Sequence, residues 1–165
     1  MVIMASQIES LLACVETVKR QTHRLVIVTG NPGSGKSQIL REVSMKKKWD
    51  YIDCRTLVSE EIIELLPVMR AAKAPAIISE ILERYDTDVF LLDRVQTFFT
   101  PVLHIDPLTL LRSLSEKYTL VVAWPGYYKD NCLFFERAGE SVHLQFDAAD
   151  LTIWSMEQND QVNKL

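Results

Sequence analysis

One segment of eight residues, 30–37, constrains the fold of this chain more than any other. It reads Gly-Asn-Pro-Gly-Ser-Gly-Lys-Ser and fits the pattern Gly-x-x-x-x-Gly-Lys-Ser/Thr. An apolar, β-branched run over residues 25–29 precedes it, as a buried strand would, and residues 38–43 continue like the first turns of a helix. This strand–loop–helix order is the context that the pattern requires, and it predicts a loop that binds phosphate groups.

Three glycines give this loop its chemistry. Glycine permits backbone conformations that turn successive N–H groups into one concavity, and the N-terminus of the following helix favours an anion there. We expect Lys36 to reach the β- and γ-phosphates of a nucleotide and the Ser37 hydroxyl to ligate Mg²⁺. An ordinary glycine-rich turn, which is the alternative, needs neither side chain. The motif predicts these nucleotide-binding residues: Gly30, Asn31, Pro32, Gly33, Ser34, Gly35, Lys36, Ser37 and Gln38.

The length and charge of the chain limit its organisation. A chain of 165 residues has room for one domain, in which we expect an N-terminal helix and linker over 1–23, a core over 24–154 and a flexible tail over 155–165. The net charge of −4 gives no global basic field of the kind that marks nucleic-acid-binding proteins. The lysines at 46–48 end the predicted second helix, where they either offset the helix dipole or contact DNA or a partner.

Helical and strand patterns alternate along the chain up to residue 124. Ser6 and Glu9 resemble a capping box, and Asp106 with Pro107 resembles the start of another helix. The alternation predicts an α/β fold: a three-layer P-loop nucleoside triphosphatase with a mostly parallel central sheet. The predicted helices are 6–20, 36–45, 57–69 with Pro67 ending or kinking it, 75–85 and 107–117; the predicted strands are 25–29, 49–53, 89–93 and 118–124, and a hairpin is predicted from 133–135 and 142–146.

An acidic residue on a neighbouring strand is needed to hold Mg²⁺ in proteins with this loop. Asp93 ends a strongly apolar strand and is the best candidate for this role. Asp53 closes the second strand and competes for it, or else binds an acceptor substrate as in small-molecule kinases. Many ATPases have a glutamate directly after the metal-binding aspartate, but this chain has Arg94 there, followed by Gln96, which is a candidate to orient water. We therefore expect the isolated protein to hydrolyse ATP slowly or not at all.

Three arginines are candidates to complete the site of a neighbouring subunit, namely Arg94, Arg112 and Arg137. Trp124 ends the fourth predicted strand, and we expect its indole to pack rather than to sense nucleotide. The three cysteines show no metal-ligand spacing, and their odd number suits a reducing cytoplasm. No apolar run approaches the ~18 residues that a membrane span requires.

Several segments together resemble BrxF, a family of small P-loop proteins from type III BREX (bacteriophage exclusion) operons. They are the glycine-rich loop with its flanks, Leu-Leu-Asp-Arg at 91–94, Asp-Pro-Leu-Thr-Leu-Leu at 106–111, and Val-Val-Ala-Trp-Pro-Gly at 121–126, which a Leu-Phe-Phe-Glu hairpin segment follows. The resemblance spans about residues 25–154. The chain departs from the family pattern at Pro125, where an asparagine is frequent, and at Gln96, where an acid is frequent.

This resemblance implies a cytoplasmic, AAA+-like ATPase core that lacks the helical lid and uses ATP and Mg²⁺. It also implies a role in phage restriction beside a methyltransferase, a large ATPase, an alkaline-phosphatase-like protein and a helicase. Self-association is a further expectation, whereas a contact with DNA is an open alternative that no evident feature of the sequence indicates. Two other functions remain open from the residues alone: a small-molecule kinase that transfers the γ-phosphate of ATP, and a scaffold that binds nucleotide without hydrolysing it.

Overall fold

The computed structural model of the chain describes residues 2–136 and 143–157. The helices are α1 (Ala5–Val18), α2 (Lys36–Lys47), α3 (Glu60–Glu64), α4 (Pro67–Leu82) and α5 (Pro107–Ser115). The strands are β1 (Leu25–Thr29), β2 (Asp50–Asp53), β3 (Val89–Asp93), β4 (Thr119–Ala123), β5 (Gly126–Lys129), β6 (Cys132–Glu136), β7 (His143–Asp147) and β8 (Thr152–Ser155). Short 3₁₀ helices occupy Cys54–Leu57, Val95–Phe99 and Pro101–Leu103.

The central sheet has five parallel strands in the order β2-β3-β4-β1-β8. Its inner strands are apolar on both faces, because helices cover both sides. Val26 and Val28 face the layer of α1 and α2, whereas Leu25 and Ile27 face the layer of α4 and α5. The predicted three-layer α/β architecture is therefore confirmed.

The strand order positions the site. Strand β4 lies between β1 and β3, and all three strands end at the same edge of the sheet. The glycine-rich loop that follows β1 and the aspartate that ends β3 therefore meet at this edge. Ligands of open α/β sheets bind at the carboxyl ends of the strands.

The two prolines of α4 lie at other positions in the helix than the sequence predicted. Pro67 occupies the first turn of α4 instead of ending a helix, and Pro75 lies inside α4 instead of starting a new one. Pro67 suits the helix start because its missing N–H would be unpaired there in any case. Pro75 removes one helical hydrogen bond. Helix α4 nevertheless continues, because it buries a continuous stripe made of Arg70, Ala74, Ile77, Ile78 and Leu82.

The first helix begins earlier than the capping pattern predicted. Met4 is its N-cap, and the Met4 N–H donates to Gln7 Oε1 over 2.8 Å, so Gln7 has the role that we expected of Glu9. Ser6 lies inside the helix. At its other end the helix stops at Val18 rather than Arg20.

The end of the core differs from the prediction as well. Residues 152–155 form β8, which pairs with β1 in parallel, and Ser155 lies opposite Thr29. Met156 is buried, so the tail predicted from residue 155 does not begin there. Residues 158–165 lie outside the described residues, and the predicted absence of a helical lid stays a prediction. Among the residues that the structure does describe, no helix is long and apolar enough to cross a bilayer.

A second, antiparallel sheet of order β5-β6-β7 follows β4. Strands β6 and β7 form the predicted hairpin, and β5 is an additional strand. The buried indole of Trp124 donates from Nε1 to the carbonyl oxygen of Phe134 over 3.0 Å, so it packs as predicted. A Cβ at Gly126 would lie only 1.8 Å from this same oxygen, so no larger residue fits there. The small sheet is thereby fixed to the end of β4, beside the glycine-rich loop.

Candidate nucleotide-binding site

The glycine-rich loop has the backbone that its sequence requires. Gly33 and Gly35 have φ angles of 78° and 100°, which side chains rarely tolerate, and Gly35 is the N-cap of α2. A Cβ at Gly30 would lie 2.4 Å from Ser34 Oγ, so the loop closes tightly on itself. Ser34 Oγ is buried and has no hydrogen-bond partner within the described part of the chain. The loop thus has the tight glycine backbone that its motif predicts, with one buried hydroxyl that has no partner among the described residues.

Lys36 is the first residue of α2 and bends back over the loop. Its Nζ donates to the carbonyl oxygen of Gly30 over 2.6 Å. Burial lowers the pKa of Lys36, whereas the carboxylates of Glu157 and Asp93 act in the opposite direction. Both carboxylates therefore lie near this ammonium group.

Asp93 is buried at the end of β3, and both of its oxygens are held. The Arg94 N–H donates to Oδ1 over 2.9 Å, and the Tyr51 hydroxyl donates to Oδ2. Burial, followed by this hydrogen bond to Asp93, raises the pKa of Tyr51 to about 12. The phenol therefore stays protonated, and remains a donor, at neutral pH.

A cavity of about 240 Å³ joins the loop to the end of β3. It brings together five residues that the sequence proposed for chemistry and metal binding, together with the end of β4: its lining is Lys36, Ser37, Asp93, Arg94, Gln96, Ala123, Trp124 and Pro125. Gln96 is exposed, on the 3₁₀ helix after β3. A hydroxyl and a carboxylate facing one cavity are hard oxygen donors, which suit Mg²⁺.

Arg94 lines this cavity and also lies near Asp53. Arg94 adopts a left-handed conformation with φ of 56°, and its Nε lies 3.6 Å from Asp53 Oδ2. Arg55 binds the same carboxylate through Nε and Nη2, and this hydrogen bonding lowers the pKa of Asp53. Asp53, which the kinase alternative assigns to an acceptor substrate, is therefore paired with Arg55 in this structure.

Of the other two arginine candidates, the structure describes only Arg112. Arg112 donates to both carboxylate oxygens of Asp150 and to the carbonyl oxygen of Asp147. The Arg112 guanidinium is therefore already paired within this chain. Arg137 lies outside the described residues.

Sequence reasoning missed one acidic residue at the loop, Glu157. Its Oε1 accepts the N–H of Asn31 over 2.5 Å, and its Oε2 accepts the Ser155 hydroxyl over 3.2 Å. The parallel pairing of β8 with β1 brings Glu157 there, 126 positions along the chain from Asn31. No local motif could have revealed this contact.

Two more cavities flank the loop. One, of about 330 Å³, lies on the side of α1 and is lined by Val2, Gln7, residues 31–34, Met156 and Glu157. The other, of about 340 Å³, lies on the side of β5 and is lined by residues 30–32, Lys36, Pro125, Gly126 and Tyr127. Both volumes lie within the range of small-molecule sites. Gln38, the last residue predicted to bind nucleotide, is exposed, and its Nε2 donates to Glu42 Oε1.

Comparison with known families agrees with this geometry. Residues 5–122, more than half of the chain, match the family model for the AAA ATPase domain. The chain belongs to this family. Membership indicates a nucleotide-binding ATPase and accounts for the glycine-rich loop after β1. No curated protein matches the chain significantly.

Proposed function

We propose that this protein binds ATP together with Mg²⁺ at the glycine-rich loop and hydrolyses it slowly on its own. The observation that supports this most is the cavity that Lys36, Ser37 and Asp93 share. Glycine-rich main chain, an ammonium group, a hydroxyl and a buried carboxylate are the set that phosphoryl transfer requires at one point.

Each group in this set has a defined task. The loop amides and the α2 N-terminus hold the phosphates, and Lys36 exchanges the Gly30 carbonyl oxygen for phosphate oxygens. The Ser37 hydroxyl and the Asp93 carboxylate hold the metal, directly or through water. Mg²⁺ bound there neutralises charge that develops on the phosphates during transfer.

Slow turnover follows from the residues around the phosphate tail. Of the described residues that line the Lys36–Asp93 cavity, Asp93 alone carries a carboxylate, and it is committed to the metal. Gln96 can orient a water molecule but cannot remove its proton as a carboxylate would. Arg94 also lines the cavity, but a guanidinium can only stabilise phosphate charge and cannot accept a proton from water. An efficient reaction therefore needs a group from another subunit or a partner protein.

The biological role that we infer is that of an ATPase subunit in a BREX-type phage-defence complex. The support is the resemblance to BrxF in the loop, in the segments 91–94 and 106–111, and in the segment 121–126. In this role a partner supplies the missing group, and nucleotide binding orders the loop between β3 and α5.

Turnover measurements on the isolated protein test the enzymatic part. We expect phosphate release well below ~1 s⁻¹, against a median near 10 s⁻¹ for enzymes. Asp93→Asn should abolish the Mg²⁺ dependence, whereas Asp86→Asn, at an exposed position, should behave as wild type. Fast turnover without a partner would contradict the proposal, and consumption of ATP that requires one metabolite would indicate a kinase instead.

A phage-plating assay tests the biological part. Cells carrying the complete operon with Lys36→Ala should lose protection while the protein level stays normal. Unchanged protection would show that nucleotide binding is dispensable and would favour a scaffold.

A further inference from the structure

The Tyr51 hydroxyl forms a hydrogen bond with Asp93, the carboxylate of the proposed metal site. The Tyr51 hydroxyl holds Oδ2 of Asp93, while the N–H of Arg94 holds Oδ1. A carboxylate that accepts one donor on each oxygen has a fixed plane. Each oxygen keeps a further lone pair for a metal ion or for its bound water.

The register of two strands produces this contact. In the parallel pair β2–β3, Tyr51 lies opposite Leu91 and Asp53 lies opposite Asp93. Because side chains alternate along a strand, Tyr51 and Asp93 lie on the same face as diagonal neighbours. Arg41 of α2 lies over the Tyr51 ring, at 5.4 Å from its centre. The tyrosine thus connects the helix that carries Lys36 and Ser37 with the strand that carries Asp93.

We propose that Tyr51 is the positioning residue of the metal site: it orients the Asp93 carboxylate towards Mg²⁺ bound at Ser37. This inference rests on the proposed function. Outer groups that hold a metal-binding carboxylate by hydrogen bonds fix its direction, and their loss typically costs 10–100-fold in metal affinity or activity. Without the phenol, the Arg94 N–H is the one hydrogen-bond donor to Asp93 left among the described residues, and the carboxylate turns about its side-chain bonds.

Equilibrium binding measures this effect without any turnover. The affinity for a non-hydrolysable ATP analogue is determined in Mg²⁺ and in EDTA. The dissociation constant in EDTA divided by the dissociation constant in Mg²⁺ gives the gain in affinity from the metal. Tyr51→Phe keeps the ring and removes only the hydroxyl. We expect it to lower this ratio about tenfold and to leave the affinity in EDTA unchanged.

Tyr118→Phe is the matched control. Its hydroxyl also lies beside a partner, Ser79, with 3.2 Å between their oxygens, but on the opposite layer of the sheet. Removing this hydroxyl should lower stability and leave the metal ratio at the wild-type value. The two variants therefore separate loss of any buried phenol hydroxyl from loss of the one at Asp93.

The remaining outcomes overturn the inference. An unchanged or higher ratio in Tyr51→Phe would show that the phenol does not orient the metal ligand. An equal loss of affinity in EDTA would show a purely structural role. If the wild-type protein binds the analogue in neither buffer, the proposed function itself fails, whereas wild-type binding with a normal ratio in Tyr51→Phe refutes only the role of Tyr51.

Discussion

The Glu157 carboxylate lies beside the loop to which a nucleotide would bring negative charge. The direction in which its removal changes the affinity for ATP can therefore be predicted. Its Oε1 accepts the N–H of Asn31, the second residue of the glycine-rich loop. Glu157→Gln removes the charge and keeps one oxygen that can accept the Asn31 N–H, while an NH₂ group replaces the oxygen that accepts the Ser155 hydroxyl. We expect the variant to bind ATP more tightly than wild type.

The magnitude follows from Coulomb's law. Phosphates held by the same loop lie within about one Debye length of Glu157, which is about 8 Å at physiological ionic strength. At an effective dielectric constant of about 20, two unit charges at this distance repel by about 2 kcal/mol, which screening reduces to about 0.8 kcal/mol. One phosphate charge therefore corresponds to about fourfold in affinity, and two charges correspond to about fifteenfold.

Isothermal titration calorimetry at two salt concentrations is the assay. The gain in affinity of Glu157→Gln should shrink at high salt, because screening removes the repulsion in wild type. Glu83→Gln is the control, since it changes the net charge equally at an exposed ion pair with Lys117. Equal affinities of wild type and Glu157→Gln would refute the reasoning, and weaker binding by Glu157→Gln would show that the charge supports the loop.

Three further predictions concern stability and the arginine candidates. Trp124→Phe should destabilise the fold by about 2–3 kcal/mol in denaturant unfolding, through lost packing and the lost bond to Phe134. Gly126→Ala should cost about 2 kcal/mol or more in the same assay, because the new Cβ meets main chain; wild-type stability would contradict this. Arg112→Gln should leave partner-stimulated turnover unchanged, because Asp150 occupies this guanidinium, and a loss would reveal a role in trans.

The parts of the fold that sequence could predict are those with local causes. The apolar runs at 25–29 and 89–93 are buried on both faces, and their composition alone indicates this. Asp106 accepts the N–H of Thr109 over 2.8 Å, as a residue before Pro107 is expected to do at a helix start. These signals do not depend on distant parts of the chain.

The helix α4 shows why a proline is ambiguous in sequence. Pro67 and Pro75 suit a helix start equally well, and tertiary contacts decide between them. Arg70, buried on α4, donates from its guanidinium to the carbonyl oxygens of Ile62, Ile63 and Val102. These bonds join α3, α4 and the loop after β3, and they hold α4 in place from its first turn.

The candidate site was predictable only in part, for the same reason. Lys36, Ser37 and Asp93 belong to patterns with a known spacing or an apolar strand, and the structure brings them to one cavity. Tyr51 and Glu157 reach the site through strand pairing, Tyr51 across the β2–β3 register and Glu157 after β8. Strand β8 has only four residues, Thr-Ile-Trp-Ser, and its place in the sheet depends on β1. No pattern within such a segment specifies its neighbour.

The central claim is that the loop at 30–37 binds the phosphates of a nucleotide and that Lys36 contributes directly. Calorimetry of the wild-type protein with ATP and ADP in magnesium buffer tests it, beside Lys36→Ala and the control Lys46→Ala, which changes an exposed lysine of the same helix. We predict saturable binding by wild type and by Lys46→Ala, and affinity reduced about 10- to 100-fold in Lys36→Ala, as expected for a lost charged hydrogen bond. Absence of binding by the wild-type protein, or wild-type affinity in Lys36→Ala, would contradict the account.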